Sequence, residues 1–429
     1  MYKSLLIAFL SLSSAFAIEK YTSESSTEAE LNFSGKIELA KGERSKDLID
    51  EQLQHLIGHF SSQSFQDSFG YPGVLSDDYK FEIASTKTLP SGRRLVEYTF
   101  KGKIVVHKKA FGSKTNIDIP LRLPLALDKV YDLGVVRGKN KCTDPHYNEP
   151  GDFFYFWDPD KSGCPLKGND KDIVRVTGKA TRLSNTTKTY PEFDRLYSQD
   201  KITASVFIGY IDDEPGRRND DGTLLYQDLK KELLENGFKL VEEKKHFSID
   251  EEKGVAHLSV FEKERNNALK KKQTVRVEVL LSDTDYGSDD ETFRDSYLSA
   301  LKKSDLVVYD GHSGLGANIG AEYLEGFALA KKYQVLFLNG CSSYPYFNGQ
   351  YFSAKSGGSK NLEIITSGLS TYTTTAFGNM MAFLEPFLKG KITSYQTLLR
   401  NIELSNGDVG TYLTGVNGDE DNKFFPKTR

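Results

Sequence analysis

Two residues in the C-terminal half have the chemistry and the setting of a nucleophile and its base. Cys341 lies in Asn339-Gly340-Cys341-Ser342-Ser343, directly after the apolar run Val335 to Leu338, and His312 lies in Asp310-Gly311-His312-Ser313-Gly314, directly after Leu306 to Tyr309. A thiol attacks as its thiolate, so it needs a base or an imidazolium beside it. Of the seven histidines, at 55, 59, 107, 146, 246, 257 and 312, only His312 lies beyond residue 257. Both residues are flanked by glycine, which lets the chain turn sharply and approach a substrate closely. Cys341 is also the odd cysteine of three: Cys142 and Cys164 are expected to form a disulfide, leaving Cys341 reduced.

Rival chemistries fail on spacing. Ser313 after an apolar strand looks like a serine-hydrolase elbow, but Leu315 stands where that turn needs glycine and no histidine follows residue 313. A papain-like order needs cysteine before histidine. His55 and His59 share one face of a helix, yet Leu56 replaces the glutamate that a zinc protease needs, so both are expected as surface or half-buried side chains. Cys142, His146 and Cys164 have no clear fourth zinc ligand. No metal site is expected.

The elements that position the pair are alternating strands and helices from about Lys201 onward. Strands are expected over Ile202 to Gly209, Thr274 to Leu281, Leu306 to Tyr309, Val335 to Leu338 and Leu362 to Ile365. Helices are expected over Thr223 to Asn236, Asp290 to Lys303, Ile319 to Lys331, Thr375 to Lys389 and Ser394 to Leu404. This alternation implies an α/β fold, a mostly parallel sheet with helices on both faces, with His312 and Cys341 outside the carboxyl ends of successive strands.

Upstream, about Leu31 to Tyr190 reads as a β-rich region with one good helix, Lys46 to Phe60. Phe153 to Trp157 is expected as a strand buried on both faces and fastened by the bridge, the alternative being a ligand-stacking platform. Asn32 and Asn185 lie in glycosylation sequons. Residues 1–17, with Lys3, an apolar run and Ala15-Phe16-Ala17, read as a signal peptide. The expected organisation is thus a leader, a β-rich disulfide-containing domain over 18–195 and an α/β domain over 196–429, with a linker near Tyr190 to Asp200. Secreted or periplasmic placement follows, with no transmembrane anchor. With 56 basic and 60 acidic residues the net charge is −4, which gives nucleic acid no footing as a partner.

The two blocks Leu306 to His312 and Val335 to Cys341, in that order, resemble the caspase-like superfamily of cysteine peptidases. The resemblance spans roughly Lys201 to Leu404 and includes Leu233-x-x-x-Gly237-Phe238 at the end of the first helix. Ser313 follows the histidine where the family has glycine, and Gly340 precedes the cysteine where the family has alanine. The resemblance implies hydrolysis of a polypeptide through a thioacyl-enzyme, with Cys341 as nucleophile, His312 as acid and base, and an oxyanion held by the N–H of Cys341 and one from Ser313-Gly314. The alternative is an inactive relative that binds a peptide or glycan at the cell envelope. No cofactor is expected. Acidic loops at Asp212 to Glu214, Asp220-Asp221 and Asp283 to Glu291 have the ligand type for calcium, but Gly287 stands at position five and not six of an EF-hand loop, and solvated loops are the simpler reading.

Overall fold

The computed structural model describes residues 21–183, 188–211, 219–245, 256–285, 291–320, 324, 329 and 331–427. The expected leader, Asn185, Asp212 to Glu214, Gly287 to Asp290 and most of the helix expected over 319–331 lie outside these residues.

The chain starts with β1 (Tyr21–Ser23) and β2 (Ser26–Leu39), followed by α1 (Ser45–Ser61) and α2 (Gln63–Phe69). Next come β3 (Gly73–Thr88), β4 (Arg94–His107), β5 (Asn116–Pro124), α3 (Leu127–Gly134), the short ribbon β6 (Val135–Val136) and β7 (Lys139–Asn140), and β8 (Ile173–Arg182). An antiparallel sheet forms in the order β3-β4-β2-β8-β5. Strand residues of period two, such as Leu31, Phe33, Ile37 and Leu39, meet Ile49, Leu53, Leu56 and Phe60 of α1, which recur at helical spacing.

The second half comprises α4 (Phe193–Tyr197), β9 (Lys201–Gly209), α5 (Asp221–Glu235), β10 (Lys239–Lys245), β11 (His257–Asn266), β12 (Lys272–Ser282) and α6 (Thr292–Lys303). It continues through β13 (Leu306–Asp310), β14 (Gln334–Asn339), α7 (Tyr344–Ala354), β15 (Leu362–Thr366), α8 (Thr373–Leu388), α9 (Tyr395–Ser405) and β16 (Gly415–Asn417). Nine strands form one sheet in the order β1-β16-β15-β14-β13-β9-β12-β11-β10.

That sheet is α/β but mixed. Its centre, β15-β14-β13-β9-β12, is parallel, while β10 and β11 on one side and β16 and β1 on the other are antiparallel. Helices cover both faces. Val206, Val308 and Phe337 pack with Met380 and Phe383 of α8, whereas Phe207, Val307 and Leu336 pack with Tyr297 and Leu301 of α6 and Tyr351 of α7.

Two local expectations are corrected. Phe153 to Trp157 is not a strand: Phe153–Phe156 is a turn of 3₁₀ helix lying against α1. A Cβ on Gly58 would stand 2.3 Å from both Phe154 O and Trp157 N, so glycine allows this contact. The stretch expected as a linker is instead buried, because Phe193, Leu196 and Tyr197 of α4 have no exposed surface and join the core around β9 and α8.

Candidate active site

β13 and β14 are neighbouring parallel strands with Asp310 opposite Asn339. His312 and Cys341 each follow two residues later, so equal register carries them to matching places above the sheet. The strands under them are fully buried from Leu306 to Tyr309 and from Val335 to Leu338, which makes the base of both loops rigid. The loops touch. A Cβ on Gly340 would lie 3.3 Å from Gly311 O and 3.6 Å from Ser313 Cβ.

The imidazole is held from outside its own loop. His312 Nε2 lies 2.9 Å from Ile211 O, beyond the end of β9. A carbonyl oxygen only accepts, so Nε2 carries the proton and Nδ1 is the basic nitrogen of the neutral ring. The His312 carbonyl accepts from Tyr309 Oη at 2.5 Å and Asn318 Nδ2 at 3.0 Å. Asn318 also donates to Asp285 Oδ1 at 3.1 Å, so Asp285 braces the histidine loop.

Cys341 is a free, half-buried thiol. Its Sγ lies 3.6 Å from Thr371 O and 3.9 Å from Thr371 Oγ1. Among the described residues no hydrogen bond joins the sulfur to His312. Ser342 has φ of 47°, a left-handed conformation unusual for a residue with a Cβ, and its N–H donates to Leu369 O at 3.0 Å. Ser343 Oγ donates to Leu338 O at 2.7 Å, tying the turn to β14. The N–H groups of Cys341 and Gly314 make no hydrogen bond to a described residue.

Under the loops, Asn339 Nδ2 donates to Asp310 Oδ2 at 2.6 Å. Burial pushes the Asp310 carboxyl up to about 7, and the Asn339 bond offsets only part of that rise. Asn339 Oδ1 is buried with no partner among the described residues.

The remaining candidates are placed as follows. Cys142 and Cys164 are bridged, with Cα atoms 4.8 Å apart. His55 and His59 are fully buried, correcting their expected exposure; Nδ1 of His55 pairs with Glu51 O and Nε2 of His59 with Pro120 O, and burial lowers both to about 4. Asp220 is buried and caps α5, accepting from Thr223 N at 2.9 Å and Ile211 N at 2.8 Å. No group of three or more His, Cys, Asp or Glu is arranged as metal ligands among the described residues.

No protein-family model matches the chain, and no curated protein matches it in sequence. Its chemistry therefore rests on the site itself. Sequence reading did not connect Tyr147 and Tyr155 with this site. Burial raises both phenols, and the charge of Cys341 adds to the rise, which puts them within its field. The aromatic run between the paired cysteines was the available signal. No helix among the described residues is long and apolar enough to cross a membrane.

Proposed function

We propose that the chain is an exported cysteine peptidase of caspase-like type, with a Cys341/His312 dyad and a β-rich disulfide-containing region packed before it. The observation that carries this reading is the matched placement of a free thiol and a tautomerically fixed histidine on adjoining parallel strand ends. Nδ1 of His312 takes the thiol proton as Sγ attacks the scissile carbonyl carbon. The new C–S bond makes a tetrahedral oxyanion, for which the N–H groups of Cys341 and Gly314 are suitable donors. Proton transfer from Nδ1 to the amine lets the C–N bond break. Water, deprotonated by the same nitrogen, then cleaves the thioester and restores the thiol.

A second reading has one observation in its favour: sulfur and imidazole bond to Thr371 and Ile211, not to each other. This suits a protein that binds a peptide or glycan without cutting it. A peptide-library digest under reducing conditions separates the two. The peptidase reading expects cleavage that Cys341→Ala abolishes, that His312→Ala lowers at least about a hundredfold, and that Ser313→Ala spares. Cleavage surviving Cys341→Ala overturns the mechanism, and no cleavage of any peptide, with and without calcium, favours the binding protein.

A further inference from the structure

His312 is held at two points, and the holders come from other strands. Its ring meets Ile211 O, beyond β9, at 2.9 Å, and its carbonyl takes two donors, Tyr309 Oη at 2.5 Å and Asn318 Nδ2 at 3.0 Å. Behind those donors stands the loop after β12. Asp285 Oδ1 accepts from Asn318 Nδ2 at 3.1 Å, and Thr284 Oγ1 lies 3.0 Å from Tyr309 Oη. The phenol hydrogen is already given to His312 O, so Thr284 is the donor of that pair. β9 runs between β12 and β13, and glycine makes the crossing: a Cβ on Gly209 would stand 2.6 Å from Thr284 Oγ1 and 3.5 Å from Gly311 Cα.

Asn318 is built into the histidine loop. It is 2% exposed, and its backbone N–H donates to Ser313 O at 3.3 Å. Its Oδ1 would lie 2.2 Å from a Cβ on Gly314, whose φ is 55°, so the loop closes around this side chain only with glycine there. Nδ2 faces a carbonyl and a carboxylate oxygen, which fixes the amide one way round. A planar peptide tied at its carbonyl by two donors has little freedom to rotate, and the Cα–Cβ direction of His312 goes with it. The ring is thereby aimed at Ile211 O with Nε2, leaving Nδ1 basic. With one donor lost, the peptide can turn about the other, Nε2 loses its alignment, and both tautomers populate.

We propose that Asn318 is a positioning residue for the reaction: its side-chain bond to the His312 carbonyl holds the imidazole in the tautomer whose Nδ1 takes the Cys341 proton. Tyr309, backed by Thr284, shares the task. This rests on the reading of Cys341 and His312 as a dyad and adds to it the residue that orients the base.

The test reads the ring itself. In the full chain labelled with ¹⁵N at histidine, at a pH where the ring is neutral, the His312 resonances, identified by their loss in His312→Ala, are expected to show one tautomer, protonated at Nε2. Asn318→Asp, equal in shape but without the donor, should mix the tautomers and lower kcat for peptide cleavage about tenfold with little change in KM. Asn318→Asp combined with Asp285→Asn returns a donor to the contact between 285 and 318 and none to His312 O, so it should stay as defective as the single variant. Tyr309→Phe removes the other donor from the same carbonyl and should mix the tautomers too, which keeps a readout if Asn318→Asp fails to fold. A wild-type ring that is already mixed, a ring unchanged in both Asn318→Asp and Tyr309→Phe, or recovery in the paired variant overturns the proposal. The spectra need no substrate: a single tautomer lost in Asn318→Asp, in a protein that cleaves no peptide, sinks the peptidase reading and leaves Asn318 as the holder of His312, whereas Cys341-dependent cleavage beside an unchanged ring sinks the role of Asn318 alone.

Discussion

Asp310 and Ser342 show how much local cost this site carries in single residues. A neutral Asp310 matches its buried position, so the native state holds that proton up to about 7 while an unfolded carboxyl releases it near 3.8. Its contribution to stability is therefore complete in acid and declines as pH rises through that window. Asp310→Asn removes the titration and supplies a donor to the region of the orphaned Asn339 Oδ1. Urea midpoints of variant and wild type should diverge in favour of the variant between about pH 4 and 7, then run parallel; a constant difference across that range would disprove the shift. At Ser342 the left-handed backbone disfavours branched side chains. Ser342→Val should destabilise by about 1–2 kcal/mol, whereas Ser342→Gly should not, as measured by chemical denaturation.

At the scale of elements, the site depends on two strands whose character was plain in the sequence and on a turn whose character was not. Leu306 to Tyr309 and Val335 to Leu338 are continuous apolar runs because both faces of a parallel strand are covered, and their glycine-bounded ends located His312 and Cys341. β10 escaped notice because Lys-Leu-Val-Glu-Glu-Lys-Lys, at an exposed sheet edge, has neither strand alternation nor an apolar core. α7 begins with Tyr344-Pro345 and contains Gly349, so tertiary packing of Tyr344 and Tyr351 outweighs its weak propensity. Phe153 to Trp157 misled for another reason: five rings in a row carry no period, and their fold is set by Gly58 of α1 and by the bridge. Gly58→Ala should therefore cost about 1–3 kcal/mol, and the paired change of Cys142 and Cys164 to serine about 3 kcal/mol in the chain-entropy account. Both are read from thermal or urea melts, and a Gly58→Ala protein as stable as wild type would show that the contact with the turn is loose.

Across the whole molecule, the two sheets are joined by more than a connection. Tyr21, Val74, Val105, Tyr344 and Leu413 form one apolar cluster drawn from both, and Tyr344 Oη donates to Glu28 Oε1 at 3.0 Å. With α4 buried, limited proteolysis should spare 190–200, and melting should be a single transition by both fluorescence and circular dichroism; an early cut there that leaves the C-terminal half folded would contradict this packing. β1 has a further consequence, for the timing of assembly. Among the described residues its strand partner is β16, and Tyr21 Oη reaches Leu413 O across 392 positions of chain, its ring crossing Gly415 where any side chain would collide. On the ribosome β1 must wait for β16, on the order of half a minute at common rates of synthesis. Nascent chains arrested before residue 415 would then leave β1 open to protease, and chains from which β16 has emerged would close it.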